Sequence, residues 1–447
     1  MMGPTSDFVG LVSGRYLQSG KLLHPPWSVG DSIWHHGPRG AFPLKPREGR
    51  ASRSAGGRDM HTAKRKALII GGGLGGLTAA LSLHQRGWQV EVFEQAPQLR
   101  EVGSGLMLSP NAMSVLIGLG LRHAVERGVV VTQAEMCTWR GTALMKVRTE
   151  ELPCEGAPPV LFHRAAVHGV LSEALGDGIA VHLGARLARF EEDGSGVVAH
   201  FEDGREARGD VLVGADGLRS VVRAQLHPGE SLRYAGQPCW RGLARGFEHP
   251  GLPRGMLRET QGSGARFGMG HVREDLVYWF AVTDWPQGQP VPVGDKAFLQ
   301  EVFRTAHAPI PQLIAATDEA DLLRNDLLDR LPIEQWGRGR VTLLGDAAHP
   351  MMPNLGQGAC SAIEDGGVLA QALSGAEDME RGLRDYEARR RERTAWLQQT
   401  SWRFGVIAQW KHPLAVWMRQ QSVRLAPASV MRRQYERLWG WRLEADR

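Results

Sequence analysis

Cysteine is scarce: Cys137, Cys154, Cys239 and Cys360 are the four in 447 residues. None forms a C-x-x-C pair or falls at zinc-site spacing, so neither a metal centre nor a disulfide framework is expected. Long apolar runs are missing as well. The stretch 67–83 is filled with glycine, and 404–418 is broken by Lys411 and Pro413, so no transmembrane helix is expected. Residues 8–12 are too short for the apolar core of a secretory signal and lack a basic lead-in. Reduced thiols in the cytoplasm are the expectation. The chain also lacks a charged body of one sign. Its formal net charge of +5 is concentrated in residues 1–59, with eight basic against four acidic residues, leaving forty-five against forty-four elsewhere. A general nucleic-acid face is thereby excluded.

What is present begins with glycine. Lys66-Ala67-Leu68-Ile69-Ile70 is apolar and short enough for the middle of a parallel sheet. It runs into Gly71-Gly72-Gly73-Leu74-Gly75-Gly76, where Gly71, Gly73 and Gly76 occupy G-x-G-x-x-G positions. The first allows a tight turn, the second lets backbone approach a pyrophosphate, and the third lets helix and strand pack closely. A helix is expected over 74–86, ended by Gly87, and an alternating strand over 89–94. Glu94 closes that strand, where a carboxylate accepts both hydroxyls of an adenosine ribose and repels a 2′-phosphate. Strand, helix, strand and terminal acid in register point to a bound dinucleotide.

Two further strand-to-turn units follow. Asp210 to Gly214 leads into Ala215-Asp216-Gly217, and Val341 to Leu344 leads into Gly345-Asp346 and then the small-residue run Asn354-Leu355-Gly356-Gln357-Gly358. An acid just beyond a strand, ahead of a glycine-rich helix start, can grip a polyol. It can equally cap its helix, and Asp216 can simply shape its own turn.

These motifs, in this order, resemble the FAD-dependent single-component aromatic hydroxylases, the family of para-hydroxybenzoate and salicylate hydroxylases. The resemblance covers about residues 64–405. It includes Arg100 to Gly105, Ser109-Pro110-Asn111-Ala112 and His163-Arg164-Ala165-Ala166-Val167-His168. It implies bound FAD, transient NADH or NADPH, and O2. It implies that Glu94 holds the adenosine ribose, Asp346 the ribitol chain, and Arg164 the ribityl and pyrophosphate region. Residues 353–358 would lie beside the isoalloxazine, and Asp216-Gly217 would serve FAD and the pyridine nucleotide together. Gly71, Gly73, Leu74, Gly75, Gly76, Arg100, Gly105, Gly356 and Gly358 complete the expected cofactor set. For Arg100 and Arg164 a plain surface role is the alternative.

The fold class expected is α/β: a Rossmann-like FAD-binding domain, an inserted antiparallel sheet for substrate, and C-terminal helices. Residues 1–59 read as a disordered extension, with Met60 as an alternative start. The FAD domain is expected over 60–233 and 330–375, the substrate sheet over 234–329, and helices over 376–447. Within these, 122–131, 167–175, 296–316 and 386–404 read as helix, 180–190 and 196–202 as strand, and 234–283 as a series of short strands.

The implied chemistry is hydroxylation of an aromatic or heteroaromatic ring through a flavin hydroperoxide, with water excluded and the substrate held close. Epoxidation of an electron-rich double bond, in a lipophilic or quinolone-like molecule, is the alternative. A nicotinamide dehydrogenase would not need Gly345-Asp346, and a non-enzymatic flavin-fold binding protein would lose the flavin contacts. Trp240 and Arg241 are the substrate candidates. The strand that carries them offers no histidine, which leaves open the base used by phenol-oxidising relatives. No second G-x-G-x-x-G follows a strand, and the W-x-W-x-I-P signature of tryptophan halogenases is absent. Six tryptophans (Trp396, Trp402, Trp410, Trp417, Trp439 and Trp441) lie among basic residues near the C-terminus. They either pack as helices or meet a membrane surface. A monomer or homodimer is expected.

Overall fold

The computed structural model describes residues 64–99, 104–154 and 156–444; the extension 1–59 and Arg100 lie outside them. The chain opens as the glycine pattern predicts, with strand β1 (Lys66–Ile70), helix α1 (Leu74–Gln85) and strand β2 (Gln89–Glu94). Next come β3 (Gly105–Leu108), α2 (Pro110–Gly118), β4 (Val129–Val130), β5 (Gln133–Thr138) and β6 (Ala143–Arg148). The helix expected over 122–131 is only a 3₁₀ turn at Arg122–Arg127, after which β4 begins. Gly128 stands where any Cβ would overlap Phe162, Val160 and Leu161, and the chain here runs extended along the next strand, β7 (Val160–His163).

Helix α3 (Arg164–Leu175) follows, then β8 (Ala180–Leu183), β9 (Leu187–Glu192), β10 (Val197–Phe201), β11 (Glu206–Gly209) and β12 (Val211–Gly214). The single strand expected over 180–190 is two, because Gly184 at φ 63° turns the chain out of one sheet and into another. After α4 (Val221–Leu226) come β13 (Arg233–Arg245), β14 (Met256–Gln261), β15 (Ala265–Arg273) and β16 (Leu276–Thr283). Helices α5 (Asp295–Val302) and α6 (Ile310–Ala316) precede β17 (Leu323–Asp329) and β18 (Val341–Leu343). The chain closes with α7 (Gly358–Ser374), α8 (Met379–Ala408), α9 (Pro413–Arg424) and α10 (Ala428–Trp439).

Two sheets organise these elements. The first is fully parallel in the order β18-β12-β1-β2-β8. Its central strands β1 and β12 are mostly apolar because both faces are covered; Ala67, Leu68 and Ile69 have no exposed surface. Helix α1 packs against α3 and α7. The second sheet has seven strands in the order β17-β13-β16-β15-β14-β5-β6, antiparallel except where β14 pairs with β5. Strands β5 and β6 come from outside 234–329, so this sheet draws on residues that the sequence assigned to the expected FAD domain. The series of short strands expected over 234–283 contains one thirteen-residue strand, β13, with a register shift between Tyr234 and Pro238. Two small antiparallel sheets, β3-β7-β4 and β11-β10-β9, complete the fold.

Candidate functional site

The turn after β1 is shaped by what its glycines lack. At Gly71 (φ 111°) a Cβ would overlap the Ala215 carbonyl, and at Gly76 it would overlap the Gly71 carbonyl. At Gly75 it would press on Leu344 and Ala362, so this glycine serves the packing of α1 on α7. Gly73 is different. It caps α1 with ordinary backbone angles, and a Cβ there would meet nothing within 4 Å. The first turn of α1 carries no acid and no side-chain cap, so its amides and dipole face an open cradle.

Glu94 lies beside this turn. Its Oε2 accepts the Gly72 amide at 2.7 Å, and its Oε1 accepts the Ala96 amide at 2.8 Å. The carboxylate is thereby fixed in direction, with further lone pairs available to a ligand. His168 on α3, buried, braces the same turn through Nε2 at 2.8 Å from the Gly72 carbonyl.

The third wall is the turn after β18. Gly345 adopts φ 62°, and its amide donates to Asp365 at 3.0 Å. The Asp346 side chain is open to solvent, yet enough protein surrounds it that burial pushes its carboxyl above the usual range. His349 and Arg164 oppose that rise electrostatically, which places Arg164 near Asp346. No described residue donates a hydrogen bond to the Asp346 carboxylate. It caps no helix among the described residues. Gly358 sits where a Cβ would lie 3.9 Å from Asp346 Oδ1, and Gly356 turns at φ 63°.

Asp216 behaves otherwise. Its Oδ2 accepts the Val221 amide at 2.7 Å, and its Oδ1 accepts the Ser220 hydroxyl at 2.5 Å, so the carboxylate caps α4. Only its backbone borders the cradle, against Gly71. These bonds match the turn-shaping role, and as at Glu94 the carboxylate keeps further lone pairs.

Behind the loops lies a buried ionic network whose charged members carry no motif. Asp365 receives His349 Nε2 at 2.6 Å and Arg390 Nε at 2.6 Å. Arg390 also reaches Glu364 at 2.5 Å, and Glu364 binds Arg393 and Asn111. Asn111 continues to Gln357 at 3.0 Å, and Gln357 to Ser109 at 3.1 Å. Burial alone would raise the Asp365 carboxyl, but His349 and Arg390 bring it down to about 2. The network ties the Gly345 turn, the 353–358 loop and α2 to α7 and α8. Its partners lie 16 to 253 residues apart.

Facing these loops is one side of the seven-stranded sheet. Strand pairing puts Arg241 opposite Phe280, Leu243 opposite Tyr278, and Phe280 opposite Gly268. Glycine makes room for the rings: a Cβ at Gly268 would overlap Phe280, and one at Gly105 would overlap Tyr278. Arg241 donates to Asn325 at 3.0 Å and also interacts with the Tyr278 hydroxyl. Burial pushes the Tyr278 phenol well above its ordinary range. Arg266, buried on the same side, donates to Asn354 of the 353–358 loop and so joins sheet to loop. Trp240 takes the opposite side. It is fully buried among Phe298, Arg324 and the core beneath α5 and α6. That removes it from the substrate candidates, because adjacent strand residues point to opposite faces.

The observations fit a bound dinucleotide: an uncapped helix start, a cradle left open at Gly73, a carboxylate fixed in direction at Glu94 and one at Asp346 that no described residue hydrogen-bonds. Sequence reasoning missed His168 as a brace, Arg266, Tyr278 and the Asp365 network. Alternation along β15 and β16 could have paired Arg266 and Tyr278 with their face, but not chosen which face was inner.

Comparison with known proteins agrees with this geometry. Residues 64–401 match the model of the FAD binding domain family. The chain is 41% identical over 360 residues to an aurachin C monooxygenase/isomerase of Stigmatella aurantiaca, covering 80% of this chain and 93% of that one. It is 34% identical to a 6-hydroxynicotinate 3-monooxygenase of Pseudomonas fluorescens, over 75% of this chain and 90% of that one. Among solved structures, Klebsiella pneumoniae HpxO complexed with FAD and uric acid superposes with a TM-score of 0.77 at 30% identity, covering 83% of this chain and 95% of that one.

Proposed function

The chain belongs to the FAD binding domain family and is an FAD-dependent monooxygenase, and we propose that it hydroxylates a planar nitrogen heteroaromatic ring bearing an oxo or hydroxyl group. NADH or NADPH is the transient reductant and O2 the co-substrate. Bound FAD, once reduced, supplies the activation of O2.

The protein's residues supply the rest. Gly73 and the α1 amides would receive the pyrophosphate, Glu94 the adenosine ribose, and Asp346 with Arg164 the ribityl side. The 353–358 loop, held by Gln357 and Asn354, would lie along the ring system. Arg241 would receive the substrate oxygen. Its guanidinium offers a fork of donors that favours the anionic tautomer of a hydroxy-heteroarene, the form richest in ring electrons. Tyr278 and Phe280 give this donor an apolar, aromatic wall that excludes water.

The observation that carries this reading is Arg241 beside Tyr278 and Phe280 on the sheet face that joins the 353–358 loop through Arg266 and Asn354. Two of the relatives carry names that specify nitrogen heteroaromatic rings, hydroxynicotinate and uric acid, while another is named for an aminohydroxybenzoate. The test is stopped-flow reduction of the bound flavin by NADH or NADPH across a panel of hydroxypyridines, hydroxyquinolines, purines and simple benzoates. Faster reduction and an oxygenated product with a heteroaromatic, but not with benzoates, supports the assignment; the reverse preference overturns it.

A further inference from the structure

The C-terminal tryptophans divide into two populations. Trp402 lies under the Arg233 guanidinium at 3.4 Å, Trp396 under Arg437 at 4.0 Å, and Trp441 against Arg390 at 5.2 Å, while Trp439 is buried. These four pack. Trp410 and Trp417 do not, and they lie in a surface unlike the rest of the molecule. Of the eleven large hydrophobic residues exposed among the described residues, eight fall between Val406 and Val430.

Helix α9 is the centre of that surface, and its polarity is inverted. Leu414, Trp417, Met418 and Leu425 are spaced to fall within one stripe of about 100°, and they are 56%, 56%, 48% and 71% exposed. The inner face instead carries Arg419, buried, donating to the Ile407 and Ala408 carbonyls at the end of α8 and to the Gly262 carbonyl at 2.7 Å. The preceding corner is tied to the β14–β15 hairpin. Lys411 pairs with Asp284 at 2.7 Å, Ser263 Oγ donates to the Lys411 carbonyl at 3.0 Å, and the Gly264 amide donates to the Trp410 carbonyl at 3.3 Å. The helix is therefore fixed with its apolar stripe outward.

Charge decides what that stripe meets. Residues 403–440 hold seven lysines and arginines against a single acid, Glu436, in a protein whose body after residue 59 is almost neutral. We propose that α9 and its flanks form a docking surface for an anionic lipid bilayer, with Leu414, Trp417, Met418 and Leu425 entering the interface. Arg403, Arg424 and Arg433, all exposed, would lie toward the headgroups. Indoles and long cationic side chains suit that boundary, and basic residues near it add attraction to acidic lipids. A second copy of the chain fits less well, because a two-fold interface would bring like-charged segments together.

The test uses the full chain with FAD bound and sedimentation with phosphatidylcholine vesicles, with and without phosphatidylglycerol. Expected is binding to the phosphatidylglycerol vesicles that weakens as salt is raised. The pair Leu414→Asp and Trp417→Asp should lower it at least about tenfold, with flavin content and turnover of a water-soluble substrate unchanged. No binding at low salt, or equal binding by the double variant, overturns the proposal. So does sedimentation velocity showing a dimer that this variant dissolves without any lipid binding in the parent. A failure of the hydroxylation assay would leave the vesicle result standing, so the two readings fail separately.

Discussion

The cofactor cradle and the inner face of the seven-stranded sheet are built on opposite plans. The cradle is backbone: Gly71 and Gly76 bring β1, α1 and the Ala215 turn together, and Gly73 leaves an open surface at the start of α1. The sheet face is side chain: Arg241, Tyr278, Phe280 and Arg266 project from three strands whose backbone would accept many other residues. A dinucleotide is common to many reactions, so its site can be a fixed local shape. A substrate must be told from its analogues, so its site needs replaceable groups on a rigid support.

Substitutions can break or sharpen that contrast. The largest effect is expected where both regions hang on one support. Asp365→Asn leaves Arg390 and His349 buried beside a neutral group, and should cost about 3–5 kcal/mol of stability, measured by urea unfolding. The same carboxyl sets an acid limit. Its pKa is about 2 when folded against an ordinary 3.8, so its contribution is complete above 3.8 and fades as pH falls toward 2. The Asn variant should lose that part of the acid dependence.

Next is the cradle itself. Gly73→Ala has room to fold, since a Cβ would meet no protein atom, but it would occupy the phosphate approach. Flavin affinity should fall about a hundredfold, roughly 2.7 kcal/mol, with the thermal midpoint of the flavin-free protein nearly unchanged. Unaltered flavin affinity would show that Gly73 does not face the cofactor. Asp346→Ala should weaken flavin binding by about 1.5–3 kcal/mol, read by fluorescence titration, again without unfolding the chain.

The smallest effect should come from the hidden side of the sheet. Trp240→Phe removes an indole whose buried Nε1 has no partner. It should change stability by about 1 kcal/mol or less and leave kcat/KM where it was. A large kinetic loss would put Trp240 back among the substrate contacts.

The two plans also explain what was legible in the sequence. Gly71 to Glu94 could be read directly because the strand, glycine turn, helix and terminal acid follow one another within a single βαβ unit, although Gly71 and Gly75 also meet Ala215, Leu344 and Ala362 from later elements. Gly345-Asp346 was legible as a turn with two possible roles, and a carboxylate that accepts no hydrogen bond from a described residue favours the ligand role. Asp216 carried the same ambiguity, and Ser220 and Val221 bind its oxygens as the turn-shaping role requires. Asp365, Arg390 and Arg266 were silent, since their partners lie on elements brought together only by the tertiary fold. Trp240 and Arg241 were recognised as a pair. Alternation says that one of them faces inward, but only the packing of α5 and α6 says which. The extra strands β5 and β6 were hidden for the same reason: a strand's sheet partner is not written in its own residues.

The division of labour between cradle and sheet is tested most directly by Arg241→Gln. Flavin content and affinity should match the parent, while kcat/KM for the aromatic substrate falls at least about tenfold and NAD(P)H oxidation yields more hydrogen peroxide per product formed. Parent-like kcat/KM and coupling in a variant that retains its flavin would contradict the assignment of substrate recognition to this face.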